Sequence, residues 1–216
     1  MRTTIELDMK YLVIVSTLFV IGSLIGWIIE LFFRRFVSQK KWVNPGFLLG
    51  PYLPIYGFGV LVLYAVSNIP LGITNEIWDM VIRILIIGIG MTVVEFIAGL
   101  IFIKGLKVKL WDYSKRKGNI MGIICPSFSL IWLIVGSLYY FLLNPLLVRG
   151  ITWISENLIY TYFIGMVMGA MVVDFAYSLH LATKLKEYKE IADLRFEDFK
   201  KELRNRIKQL RKSKEG

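Results

Sequence analysis

The chain has 216 residues, 56% of them hydrophobic, and its 26 Lys+Arg against 16 Asp+Glu leave a formal net charge of +10. Those charges are clustered. Between Trp42 and Ile103 only Glu76, Asp79, Arg83 and Glu95 are charged, and between Gly118 and Leu181 only Arg149, Glu156 and Asp174. A soluble domain needs polar cover that such runs cannot give, so the pattern excludes a soluble enzyme, a disulfide scaffold and a free nucleic-acid binder. The single Cys125 can make no intrachain disulfide, and neither a Cys/His metal spacing nor a Walker phosphate loop occurs, so no cofactor is implied.

Long apolar runs mark membrane-spanning helices. Five are read, at 11–33, 47–69, 78–103, 120–143 and 157–181. Each is near the ~20 residues that cross a ~30 Å hydrocarbon core. The N-terminus lacks the marks of a cleavable signal: its apolar stretch is too long and no small-residue cleavage site follows. The expected fold is an all-α, polytopic integral membrane protein of five transmembrane helices, the second discontinuous, with a C-terminal cytoplasmic amphipathic helix. The transmembrane domain is read as 1–181 and the tail as 182–216.

Lysine and arginine set the orientation. The connections 34–41 and 104–117, together with the tail, hold 22 of the 26 basic residues, leaving Arg2, Lys10, Arg83 and Arg149 for the other side. This predicts a protein of the cell membrane with its N-terminus outside and its C-terminus cytoplasmic. The net charge then reflects insertion topology and contact with anionic inner-leaflet lipids, not nucleic acid.

In the tail, Leu185, Tyr188, Ala192, Phe196, Phe199, Leu203, Ile207 and Leu210 follow steps of three and four, the pattern of an amphipathic helix. Such a helix either lies on the inner leaflet or docks a cytoplasmic partner. Both readings stand at this stage.

Three acidic residues interrupt the apolar spans: Glu30, Glu95 and Asp174. A charged group inside a membrane is costly and normally faces the bundle interior, paired or wet. Gly22 and Gly26 share a stripe with Glu30, Gly88 and Gly99 with Glu95, and Gly165, Gly169 and Ala170 lie near Asp174. Small residues let helices approach closely, so each carboxylate is expected on a packed face. Glu30, one turn from Arg34, reads as an anchor. Glu95 and Asp174 read as candidates for binding a cation, a proton or a positively charged group.

The second span is the other anomaly. Residues 44–59 carry Pro45, Pro51 and Pro54 among four glycines. Proline removes a backbone donor and clashes with the preceding turn, so no regular helix is expected before about Gly59. Broken backbone at membrane depth is tolerated only against protein or a water-filled cavity, as at the ligand sites of transporters. Pro51 and Pro54 would close such a cavity, and the hydroxyls of Tyr52 and Tyr56 are expected to meet Glu95 or Asp174. Within the loop after span three, Trp111, Asp112 and Tyr113 read either as interfacial anchors or as a partner-docking surface. Cys125 and His180 read as packing or interface residues.

The string Gly26-Trp27-Ile28-Ile29-Glu30, the proline-rich segment from Gly46 to Gly59, Glu95, Trp111-Asp112-Tyr113-Ser114 and Gly122-Ile123-Ile124-Cys125 together resemble the bacterial ABC-transporter type IV permeases, the CmpB-like family. The likeness covers roughly 22–144 and departs at Pro45, where that pattern has a basic residue. It implies a multi-pass permease subunit served by a separate ATPase. The reading is therefore a permease-like transport subunit of unknown substrate, acting as a homo- or hetero-oligomer, with inner-half carboxylates lining a cavity. Two alternatives stay open: a non-transporting scaffold or regulator that recruits cytoplasmic partners, and a membrane enzyme using Glu95 and Asp174 on lipid.

Overall fold

The structure is a computed structural model that describes residues 2–157 and 159–212, leaving the side-chain surroundings of 2–8, 190, 202–203 and 205–212 undescribed. Among the described residues it is all-helical, with no strand. Helix α1 (Arg2–Phe33) runs into a π-type turn, Arg34–Ser38. After a non-helical stretch, 39–53, come α2 (Pro54–Asn68) and α3 (Glu76–Gly99), the latter extended by a π-type turn, Leu100–Gly105. A folded loop, 106–125, leads to α4 (Pro126–Leu138), which passes through a π-type turn, Tyr139–Leu143, into α5 (Asn144–Glu156). The last helix is α6 (Ile159–Lys212).

The helix starts follow from local chemistry. At the head of α3, the Asn75 side chain accepts from the N–H groups of Ile77 (3.0 Å) and Trp78 (3.1 Å). Glu76 and Asp79 add negative charge to that first turn, where the helix dipole favours it. Proline occupies the first turn of α2 and α4, where its missing N–H would have no intrahelical partner anyway. That tolerance explains why α2 begins at Pro54, five residues before the start expected from the proline count. The apolar run predicted at 47–69 is thus non-helical backbone first and a helix of 15 residues second. The fourth run likewise begins at Pro126 and, with α5, extends to Glu156.

Among the described residues, four helical runs are long and apolar enough to cross a membrane: Met9–Ser38, Glu76–Gly105, Pro126–Glu156 and Ile159–Lys201. With the shorter apolar α2 they make a multi-pass membrane protein. Large apolar side chains cover its outside, such as Leu12, Ile89, Ile134 and Val173, each more than 60% exposed. Water would penalise that surface heavily, and hydrocarbon does not.

Inside, α1 packs on α2, α2 on α3 and α3 on α4, while α5 touches α1. One core joins Val20, Leu48, Tyr52 and Met171, and a second joins Leu63, Ile87, Met91 and Tyr139. The glycines of α2 make the α1–α2 approach possible: a Cβ on Gly57 would come within 2.5 Å of the Ser23 Oγ and 2.6 Å of the Phe19 carbonyl. Gly22 and Gly26 face Val60 and Tyr56 just as tightly, and Gly88 and Gly99 face Leu133 and Ile123. The stripe expected on the last span differs. A Cβ on Gly165 or Gly169 would meet nothing within 4 Å among the described residues, so these two glycines serve no packing there.

The chain divides into two compact units, Met1–Phe175 and Ala176–Gly216. The second consists of the rest of α6, which passes position 182 without a break and continues to Lys212. Of the tail's apolar stripe, Leu185, Tyr188, Phe196 and Phe199 are all more than half exposed. The side chains of Leu203, Ile207 and Leu210 lie outside the described residues, as do residues 213–216.

Candidate functional site

The non-helical stretch 39–53 is the centre of the site, because its backbone has no helix ladder to satisfy it. Leu48, Tyr52 and Leu53 are buried, and a buried backbone polar group without a partner is costly. The partners come from side chains and from α1. Asn44 Nδ2 donates to the carbonyls of Leu48 (2.9 Å) and Leu49 (3.1 Å), while its Oδ1 accepts from Gly46 N–H at 3.2 Å. The same Oδ1 accepts from the Trp27 indole at 2.9 Å. Arg34 donates to the Pro45 carbonyl at 3.0 Å, and Leu53 N–H donates to the Ser23 carbonyl at 2.9 Å.

Asp174, on α6, satisfies two more. Its Oδ1 accepts from Leu49 N–H at 3.1 Å, and its Oδ2 accepts from Gly50 N–H at 2.8 Å and from the Tyr52 hydroxyl at 2.9 Å. A carboxylate with four lone-pair sites is suited to this, since all three of its neighbours here are donors.

The other two carboxylates are held in the same manner. Glu30 accepts from the Tyr56 hydroxyl (3.0 Å) on one oxygen and from Arg34 (3.2 Å) on the other. Glu95 is only 5% exposed and accepts from the Tyr113 hydroxyl and the Trp132 indole, each at 2.9 Å. Each of the three acidic residues thus carries a tyrosine from another element. Asp174 and Glu95 have no donor in common among these bonds.

Of the two hydroxyls expected against Glu95 or Asp174, that of Tyr52 meets Asp174. That of Tyr56 turns instead to Glu30, which α1 presents one helix away. Glu30 also pairs with Arg34, one turn on in the same helical run. Pro51 is exposed at the surface of the segment, and Pro54 opens α2. Asn44, Trp27 and Trp132 were not singled out. Their signal was a polar side chain within or beside an apolar run, where any donor needs an acceptor.

The loop holding Trp111, Asp112 and Tyr113 is folded inward. Trp111 donates to the Ile123 carbonyl at 2.8 Å, and the Tyr113 ring stacks on Phe128 with centroids 4.3 Å apart. Burial, and then the charge of Glu95, push the Tyr113 phenol up, so it stays protonated and able to donate. Asp112 accepts from Lys109 (2.9 Å) and from Ser114 N–H (2.9 Å), and these bonds hold its carboxyl well below the usual range. The loop turns at Met121 and Gly122, whose φ angles of 58° and 69° are left-handed. Gly122 tolerates this at no cost, and its N–H and carbonyl are taken by Asn119 and Tyr113.

A family model described as putative ABC-transporter type IV matches residues 17–179. The chain belongs to that family. No curated protein and no solved structure matches it. The family region includes the whole of the broken segment and all three carboxylates. It reaches past position 144, where the likeness read from short motifs ended, and takes in Asp174. The rest of α6 lies beyond it.

A groove of about 460 Å³ lies alongside α4, with Ile124, Cys125, Leu130 and Leu133 among its walls. None of the three carboxylates lines it. Among the described residues no cluster of His, Cys, Asp or Glu is arranged to hold a metal ion.

Proposed function

We propose that this chain is the membrane-embedded, permease-like subunit of an ABC-type transport system, with its N-terminus outside and its C-terminus cytoplasmic. The observation that carries the reading is the pinned break at 39–53, in a chain of this family. Regular helices need no side chain to satisfy their backbone. This segment depends on Asn44, Arg34 and Asp174 for it, so it can exchange those partners for a solute when the elements separate. Discontinuous helices serve transporters in that way. In this arrangement Asp174 latches the segment, Glu30 holds Tyr56 of α2 and the Arg34 that reaches Pro45, and Glu95 latches the 106–125 loop. Freed by a shift of α6 or of the loop, the same carboxylates would face a cationic group or a proton. A separate ATPase would dock on residues 104–118 and on the tail.

Purification of the tagged chain from its native membranes tests this. An ATP-binding-cassette ATPase should co-purify in stoichiometric amount, and deletion of 204–216 should weaken its retention. Repeated purification without any ATPase would overturn the reading.

One observation favours a second reading, a scaffold that transports nothing and recruits cytoplasmic partners. Each of the three carboxylates already accepts a tyrosine hydroxyl and at least one further donor, as expected of a packed bundle. Solute flux by the reconstituted chain with its partner separates the two.

A further inference from the structure

The groove beside α4 joins apolar walls to a cationic loop. Along its length it is apolar: from Pro126 to Leu133 the wall follows α4 for about 10 Å at ~1.5 Å per residue. The polar side-chain atoms on its floor are already engaged. Cys125 Sγ lies 3.3 Å from the Ser127 hydroxyl. Ser129 Oγ accepts from Thr92 at 3.1 Å and approaches the Cys125 carbonyl at 3.4 Å. An occupant therefore meets hydrocarbon walls with no hydrogen bonds to offer, which suits a hydrocarbon chain and rejects a polar solute. At about 460 Å³ the groove falls within the roughly 300–1,000 Å³ of small-molecule sites.

The loop that leads into its wall is cationic. Gly118, part of the wall, directly follows Lys115-Arg116-Lys117. All three side chains are exposed, and none takes part in the ion pairs formed among the described residues, whereas Lys109 is neutralised by Asp112. The backbone that presents them is held: Asn119 donates to the carbonyls of Ser114 (3.2 Å) and Arg116 (2.7 Å), and Arg116 N–H donates to Tyr113. A triplet of cations that immediately precedes the wall of an apolar slot is complementary to a phosphate ester joined to an acyl chain.

We propose that this groove is a specific site for one anionic phospholipid, an acyl chain lying against Ile124, Leu130 and Leu133 and the headgroup phosphate among Lys115, Arg116 and Lys117. The site rests on the groove and that loop alone, so it stands or falls separately from the transport reading.

Native mass spectrometry of the full chain, released from mild detergent with either phosphatidylglycerol or phosphatidylcholine, tests it. The wild type should hold one phosphatidylglycerol saturably and prefer it over phosphatidylcholine by about tenfold or more, since each basic residue near an anionic surface contributes appreciably. Replacing Lys115, Arg116 and Lys117 together by Gln should bring that preference close to unity. Leu130→Trp, which fills the groove from an exposed position, should lower retention of both lipids. Replacing Lys184, Lys186 and Lys189 by Gln removes the same charge from the tail and should change nothing. Graded binding without saturation, or equal losses in the two triple variants, would mean diffuse attraction to a basic protein and would overturn the site. Inorganic phosphate or glycerol phosphate displacing phosphatidylglycerol at equal concentration would show that the acyl chain contributes nothing, and would overturn it as well. Each variant is first checked for an unchanged melting temperature, and the wild-type lipid preference decides the matter even where a variant fails to fold.

Discussion

The Tyr52 hydroxyl donates to Asp174 at 2.9 Å, joining residues 122 positions apart, and the Gly50 N–H reaches the same carboxylate oxygen at 2.8 Å. With Leu49 N–H on the other oxygen, Asp174 is surrounded by donors, two of which are backbone groups that cannot reverse. Glu95 differs: one of its two donors, the Tyr113 hydroxyl, can rotate and accept instead.

That contrast ranks two conservative substitutions. Glu95→Gln can point its oxygen at Trp132 and its amide nitrogen at the Tyr113 oxygen, keeping both bonds. Asp174→Asn must aim its NH2 at an N–H in either orientation, leaving a backbone donor unpaired at a cost of roughly 1–3 kcal/mol. Thermal unfolding in detergent should place Asp174→Asn well below Glu95→Gln, with Tyr52→Phe in between. Equal stability of the two carboxylate variants contradicts this account. Cellular function measured on the same proteins tests the transport reading, under which Glu95→Gln should lose activity while remaining folded.

Tyr113 ties the 106–125 loop to the bundle through Glu95 and Phe128. Tyr113→Ala removes both contacts, so local opening should become easier while α3 and α4 stay packed. Trypsin should then cut at Lys115–Lys117 several times faster than in the wild type. An unchanged cleavage rate would show that Trp111 and the Asn119 bonds hold the loop unaided.

Glycine substitutions separate packed from open stripes. In Gly57→Ala the new Cβ would lie 2.6 Å from the Phe19 carbonyl, backbone that cannot step aside, and overpacking of this kind costs typically about 1–3 kcal/mol. Gly165→Ala, with open space around it, should keep or slightly raise the melting temperature because alanine favours helix. A loss at Gly165 comparable to that at Gly57 would reveal a second chain packed on α6.

The proposed orientation has its own check. A reporter active only outside the cytoplasm, fused after Gly216, should stay silent, and the same reporter placed ahead of Arg2 should be active. The reverse pattern would invert the topology and put the basic loops on the wrong face.

Membrane embedding and the all-helical class were determined by the sequence itself, because hydropathy acts locally: with charges so sparse between Gly118 and Leu181, the backbone must satisfy itself by helix formation wherever lipid surrounds it. The break near Pro51 was legible for the same local reason, since proline disrupts a helix wherever it falls beyond the first turn. Which donor meets which carboxylate was not legible. Tyr52 and Tyr56 are one turn apart, yet one binds Asp174 on α6 and the other Glu30 on α1. That choice depends on how the non-helical segment 39–53 passes between elements far apart in sequence. Nor could spacing distinguish Gly22 and Gly26 from Gly165 and Gly169. Both pairs have the same four-residue step, and only the presence of Tyr56 and Val60 opposite the first pair gives it a packing role. Local chemistry decides whether a segment is helical and apolar; what stands across from it is decided by the packing of the whole bundle.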